Sequence, residues 1–240
     1  MIVNIIKKKV TSLQDVVCQQ YSSHTPTAII MVNKLSKDPV GGLDSLLMFL
    51  LIRKMQQNWA ANYIDGLIYE ALIKQPPCRI KNVLTNTFGS GIVLLRSQKN
   101  IDYLPLQELL IHKQFQAANA LTHDKLRELS SLYHGERSWL YFTDISSLPV
   151  IDLHTIDNLW RTHSLNKFGF SIQRQIWLAG NKDWNKLWNT IGWKIDHVLC
   201  RYPNDFQWDI SGPIGHLPLF NQLYGVQPML ALFKHKAWKC

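Results

Sequence analysis

Histidine and cysteine are the residue types that most often ligate metals or attack substrates, and the chain has nine histidines and four cysteines. The histidines lack metal-site spacing: no H-E-x-x-H frame occurs, and His154 and His163 lie out of the i, i+4 register of one helix face. The cysteines are too far apart in sequence for a zinc or redox motif, which favours reduced, unpaired thiols in an intracellular compartment. They are Cys18, Cys78, Cys200 and Cys240.

Other catalytic patterns are also missing from the sequence. Gly89-Ser-Gly91 is too short for a phosphate-binding loop, and no nucleophile elbow occurs. Paired carboxylates are scarce, and we interpret Asp152 as a helix N-cap and Asp157 as a surface or buried hydrogen-bonding residue. The sequence therefore predicts no catalytic chemistry of its own.

Tryptophan is concentrated in one part of the chain, where eight of the nine tryptophans follow residue 138. This exceeds what a core of this size requires, and it indicates a site for a flat apolar ligand. We assign three tryptophans to the core and place three other aromatic residues in a Gly/Pro-punctuated loop. The core set is Trp160, Trp177 and Trp188, and the loop set is Tyr202, Phe206 and Trp208.

The composition of the 240-residue chain, 46% hydrophobic and 18% charged, predicts a globular protein, and the net charge of +9 favours an anionic partner. That partner could be nucleic acid, a membrane surface or a carboxylate-bearing ligand. The basic residues between 161 and 201 form either a solvated helical surface or a rim around an anion-binding cavity. The most apolar run, Leu43 to Ile52, is too short to span a bilayer, and no secretory signal is visible, so we expect a soluble protein.

Apolar spacing of three and four residues predicts an all-α fold with minor strand near the C-terminus. Residues 1–98 form a small helical bundle, in which a weakly patterned lead-in over 1–38 precedes helices at 43–57 and 62–74 and a short third helix. Residues 99–240 form a second helical domain, with separate helices beginning near Leu106, Phe115 and Leu126. Further helices begin at Asp152 and near Phe168 in this domain.

Six segments in this second half closely resemble the signature blocks of one family, the "genomes uncoupled four" porphyrin-binding regulators of magnesium chelatase. The blocks occur in the family's order and cover roughly residues 101–240, which leaves 1–98 as the variable helical extension of plastid-encoded and cyanobacterial members. The segments are Ile101–Glu108, Trp139–Thr143, Asp152–Asp157, Phe168–Gln173, Ile191–Trp193 and Gly215–Pro218.

The resemblance implies a compact helical core shaped like a cupped hand, which binds protoporphyrin IX and Mg-protoporphyrin IX in its concave face without a covalent cofactor. It implies a non-catalytic activator of magnesium chelatase that acts through the large porphyrin-binding subunit in chlorophyll biosynthesis. We expect a monomer in the plastid stroma that can associate peripherally with membranes and does not bind nucleic acid.

Positions matching the family's ligand cavity lie beside two loops, at about 130–138 and 196–218. They are Phe142, Ile145, Leu199, Arg201, Tyr202, Phe206, Trp208, Leu217, Leu219 and Tyr224. Many relatives carry arginines where this chain has His123, Tyr224 and Gln227. We therefore expect Arg201, Lys194 and Arg161 to meet the propionates instead.

His216 has two interpretations, as an axial ligand to a haem or Mg-porphyrin or as a hydrogen-bonded structural histidine. Three other functions also stay open: an adaptor of the chelatase with weakened ligand binding, a haem or bilin sensor, and a nucleic-acid binder suggested only by the basic pI. Titration with a water-soluble porphyrin separates an activator that binds the ligand from an adaptor that does not.

Overall fold

Apolar residues at helical spacing form twelve α-helices in the part of the chain that the structure describes, and a single short β-hairpin accompanies them. That part is residues 2–19, 27–74, 76–130, 139–220 and 226–239 of a computed structural model. The all-α prediction is confirmed. The chain divides into two units, Met1–Leu94 and Leu95–Cys240.

Unit 1 contains five helices: α1 (Ile2–Gln19), α2 (Thr27–Ser36), α3 (Gly42–Lys54), α4 (Tyr63–Ile73) and α5 (Cys78–Phe88). The weakly patterned lead-in over residues 1–38 contains two helices, which bury Leu13 of α1 and Val32 of α2. Helix α1 is strongly amphipathic, so its sequence does carry a helical periodicity.

A buried carboxylate fixes the start of α4. The side chain of Asn62 accepts hydrogen bonds from two backbone N–H groups, while the Asp65 side chain accepts from the Asn62 N–H, which completes a capping box. Asp65 is fully buried and forms an ion pair with Arg53 of α3, with 2.9 Å between Nη2 and Oδ2. The ion pair joins α3 to α4, and it offsets the desolvation cost of burying the Asp65 carboxylate.

Unit 2 begins with α6 (Leu104–Ile111), α7 (Phe115–Leu129), α8 (Phe142–Ser146), α9 (Val150–His163), α10 (Phe170–Ala179) and α11 (Trp184–Thr190). A short antiparallel hairpin of β1 (Lys194–Ile195) and β2 (Val198–Leu199) follows, and α12 (Gln227–Lys234) precedes a 3₁₀ turn at Lys236–Trp238. The predicted helices near Phe115 and Leu126 are one continuous helix, α7, because no turn residue separates their stripes.

Helix α9 is the centre of unit 2. Its residues Ile156, Leu159 and Trp160 have no exposed surface, and the Trp160 ring stacks on Phe115 of α7 at a centroid distance of 5.9 Å. The Trp160 indole donates to Thr122 Oγ1 at 3.0 Å, so the tryptophan buries its ring and still satisfies its N–H. The predicted burial of Trp160, Trp177 and Trp188 is confirmed.

Asp152 does not cap α9, contrary to the prediction, because the helix already begins at Val150 after Pro149. Its buried carboxylate instead accepts hydrogen bonds from the Gln98 N–H and the Tyr103 hydroxyl, each at 2.8 Å, and from the Ser97 hydroxyl. Burial and this carboxylate raise the pKa of Tyr103. Asp152 therefore ties α9 to the segment that leads into α6.

Among the described residues, no helix combines the length and apolarity needed to cross a bilayer.

Candidate functional site

Residues 200–220, which we call the 200–220 loop, follow the hairpin and contain the predicted aromatic cluster. Prolines and glycines prevent a helix here, so the loop's backbone polar groups must find partners elsewhere. Many of those partners come from the helices of unit 2, and they fix the shape of the loop.

His216 is the main polar contact inside the loop. Its Nδ1–H donates to the Ile191 carbonyl at 2.7 Å, and its Nε2 accepts from the Gln207 N–H at 3.0 Å. Burial lowers the pKa of His216, in agreement with the neutral ring that this pattern requires. Since both ring nitrogens are engaged by the backbone, His216 is a structural histidine and not an axial ligand.

Gln173 and Asn119 anchor the end of the loop to the helices. The Gln173 amide on α10 donates to the carbonyls of Gly215 and Pro218 at 2.9 and 2.8 Å. The Asn119 side chain on α7 accepts from the Leu219 N–H at 2.7 Å. These bonds are buried, so they hold the loop without competition from water.

Two aromatic side chains of the loop face solvent together. The Tyr202 ring is 53% exposed and meets the half-buried Trp208 edge to face at 5.7 Å. Trp208 donates its indole N–H to the Pro203 carbonyl at 2.9 Å, and it contacts the buried Phe206 ring at 6.1 Å. Phe206 thus supports an aromatic surface that Tyr202 and Trp208 present outward.

This aromatic pair borders an open depression of about 610 Å³, within the size range of small-molecule sites. The start of α7 also lines the depression, and Ala117 and Ala120 are exposed there one turn apart. Two alanines in this position leave a flat apolar helix face. The remaining lining residues are Lys113, Gln114, Phe115 and Gln116.

Lys113 lies at the corner between α6 and α7 in a left-handed conformation, with φ of 58°. The Gln114 N–H bonds to the Leu109 carbonyl and the Lys113 N–H to the Leu110 carbonyl, which is the Schellman pattern of a helix end. The ammonium donates to the carbonyl of His163, the last residue of α9, at 2.6 Å. The turn and this bond place a cation beside the depression.

The ten predicted site residues occupy different environments. Tyr202 and Trp208 border the depression. Four residues are buried: Ile145, Phe206, Leu217 and Leu219. Three are exposed but do not line the depression, namely Phe142, Leu199 and Arg201, and Tyr224 lies outside the described residues. Phe142 and Ile145 are on α8, which packs against α12. Most of the predicted 130–138 loop is also outside the described residues.

Two of the three cations expected to replace the family's arginines are engaged locally. Arg161 donates to Asn166 Oδ1 at 2.9 Å, and Lys194 donates to Asn185 Oδ1 at 3.0 Å. His123 stacks on Phe220 at a centroid distance of 6.2 Å, and desolvation lowers its pKa, so the ring is neutral at pH 7. Lys113, which the sequence did not single out, is the cation that borders the depression.

Unit 2 is therefore a helical domain in which a fixed aromatic loop and the exposed start of α7 border an open depression, with Lys113 among its lining residues. Within the described part of the chain, no group of three His, Cys, Asp or Glu side chains could hold a metal ion.

The comparisons with known proteins give this domain a family. The GUN4-like family model matches residues 96–236, and the chain belongs to that family. It is 52% identical over 182 residues to a Ycf53 protein of Pyropia yezoensis, covering 76% of this chain and 77% of that protein. It is 32% identical over 142 residues to the chloroplastic tetrapyrrole-binding protein of Arabidopsis thaliana, covering 55% and 54%. The solved structure of GUN4 from Chlamydomonas reinhardtii matches with a TM-score of 0.55 and 36% identity, covering 61% of this chain and 96% of that chain.

Proposed function

We propose that this protein is a non-catalytic regulator that binds protoporphyrin IX and Mg-protoporphyrin IX and stimulates magnesium chelatase through its large porphyrin-binding subunit. Its place of action would be the plastid stroma. Family membership and the tetrapyrrole-binding relative support the ligand class. The observation that carries the proposal is the Tyr202–Trp208 pair, held outward beside an open depression.

A porphyrin has two flat apolar faces, and two apolar elements line this site, the Tyr202–Trp208 pair and the start of α7. Because the two rings meet edge to face, one face of the macrocycle would contact the face of one ring and the edge of the other. Ala117 and Ala120 would provide further apolar contact. Burying several hundred Å² of apolar surface contributes on the order of 10 kcal/mol. Association and ordering costs remove about half of that. Apolar contact alone then leaves about 5 kcal/mol, which corresponds to a Kd on the order of 0.2 mM, and pairing of the propionates would add to it.

The central metal would have little influence on affinity at this site. The eight lining residues provide no imidazole, thiol or carboxylate that could coordinate a metal, and His216 uses both ring nitrogens elsewhere. Metal-free and Mg-containing macrocycles would therefore both be accepted.

A Soret-band titration with water-soluble deuteroporphyrin IX tests the ligand and its location together. We expect saturable binding, and a Kd raised about tenfold by Tyr202→Ala, since losing about 60 Å² of apolar contact removes roughly 1.5 kcal/mol. Tyr141→Ala is the matched control, because that tyrosine is 51% exposed but lies before α8. Equal losses in both variants would contradict the location, and no binding to the wild type would refute the tetrapyrrole function.

The regulatory role needs a separate measurement. We expect purified protein to raise the rate of Mg²⁺ insertion by reconstituted chelatase at low porphyrin concentration, and Tyr202→Ala to require more porphyrin for the same stimulation. An unchanged rate with wild-type protein would remove the activator role. The neutral His123, where relatives carry arginine, favours the adaptor as the second candidate; stimulation by a protein that does not bind porphyrin would support it.

A further inference from the structure

We propose that Lys113 recognises the carboxylate edge of the ligand, so that the site selects tetrapyrroles with ionised propionates over their neutral esters. This inference rests on the proposed function, since it concerns the same depression. Neither the signature segments nor the expected rim cations include Lys113.

The distribution of side chains around the depression gives the ligand an orientation. Of its eight lining residues, Lys113 is the charged one; the others are aromatic, small or amides. The aromatic wall is formed by Tyr202 and Trp208, whereas Lys113 lies at the start of the α7 wall beside Gln114 and Gln116. A ligand with apolar faces and an anionic edge matches this arrangement when its carboxylates point to the α6–α7 corner.

The fold holds the Lys113 side chain in a defined place. Lys113 follows α6 in the left-handed conformation with φ of 58°, as Lys182 does after α10 with φ of 62°, so the backbone conformation alone does not distinguish it. Its ammonium is positioned by the 2.6 Å bond to the His163 carbonyl, and its charge attracts an anion while that bond is in place.

A purely structural role for Lys113, as a cation at the C-terminal end of α9, makes a different prediction. Such a role would affect stability but not the choice between an acid and an ester. The ratio of the two affinities is therefore the informative measurement, since a general loosening of the site changes both affinities alike.

The experiment titrates the full chain with deuteroporphyrin IX and with its dimethyl ester under identical solvent conditions, read from the Soret band. We expect the wild type to bind the diacid about tenfold more tightly than the ester, the value of one charge-assisted hydrogen bond. Lys113→Asn suits the left-handed turn but lacks the charge, so it should lose that preference with little change in ester affinity. Lys113→Arg should retain most of it.

Lys182→Asn is the matched control, because Lys182 is an exposed lysine in the same left-handed conformation, with φ of 62°, and does not line the depression. We expect it to keep the wild-type acid-to-ester ratio. If the ratio survives in Lys113→Asn, or disappears in Lys182→Asn instead, the assignment is wrong. If wild-type protein binds neither compound, the proposed function itself fails. Lys113→Gln replaces Lys113→Asn if circular dichroism shows that the latter does not fold.

Discussion

Replacing His216 with phenylalanine measures how much the polar contacts of the 200–220 loop contribute to folding. The substitution keeps a ring beside Phe206 but removes both hydrogen bonds of the imidazole. The Ile191 carbonyl then loses its partner in a buried position, which costs about 1–3 kcal/mol. Gln207 is exposed, so its N–H can be hydrated and adds less. We expect His216→Phe to lower the free energy of unfolding by about 3 kcal/mol.

Thermal denaturation followed by circular dichroism provides the test. A loss of 3 kcal/mol corresponds to a fall in melting temperature of roughly 6–12 °C for a domain of this size. His197→Asn is the control, since His197 is an exposed histidine in a left-handed turn that asparagine also adopts. If His216→Phe melts at the wild-type temperature, the two bonds do not hold the loop and the reasoning is refuted.

The same variant has a defined pH dependence. Burial lowers the pKa of His216 below its unfolded value of about 6.5, despite the opposing field of Asp209. The unfolded chain therefore binds more protons, so the stabilisation is complete above about pH 6.5 and is lost as the pH falls through the folded-state pKa. His123 and His235 shift in the same direction. Wild-type protein should lose stability from about pH 7 to 5.5, and His216→Phe should show a shallower loss.

Three further substitutions test individual contacts. Asp152→Asn removes a buried charge that accepts three hydrogen bonds and should cost about 2–4 kcal/mol in urea denaturation; a cost below 1 kcal/mol would contradict that network. Gly215→Ala places a Cβ 2.7 Å from Ile176 Cδ1 at a φ of +82°, so we expect a lower melting temperature. An unchanged melting temperature would show that the loop shifts to accept the methyl group. Arg53→Met leaves Asp65 buried without its ion pair and should destabilise unit 1 by about 3–5 kcal/mol, whereas the double variant with Asp65→Asn should recover part of that loss.

Elements with regular apolar stripes were predictable from the sequence. Helices α3, α4 and α9 follow leucine and isoleucine spacings of three and four residues, and their predicted positions agree with the structure to within a few residues. Helices α1 and α2 were not assigned individually, although α1 is strongly amphipathic. Asp152 was misassigned because a carboxylate near a helix start usually caps it, whereas here its partners lie more than 45 residues earlier in the chain.

Some residues of the candidate site could be predicted from their neighbours in the sequence, whereas another could be found only from contacts between distant parts of the chain. Tyr202 and Trp208 could be placed in a loop because the prolines and glycines around them exclude a helix. Lys113 could not be identified, because its relation to Tyr202 depends on how α7 packs against the 200–220 loop. Its one local signal is a position between two apolar segments, which indicates a turn but not what the turn faces. Contacts across the chain, and not residue type, make Lys113 part of this site.

The anchors of the 200–220 loop connect stability with ligand affinity. Gln173, Asn119 and His216 do not line the depression, yet they hold the loop that presents Tyr202 and Trp208. Ordering a side chain on binding costs about 0.5–1.5 kcal/mol, so a loop fixed in advance leaves more of the apolar contact available as affinity. In the proposed function, the helices of unit 2 would therefore contribute to ligand binding at a distance, because a loop that is already fixed loses less entropy when a ligand binds.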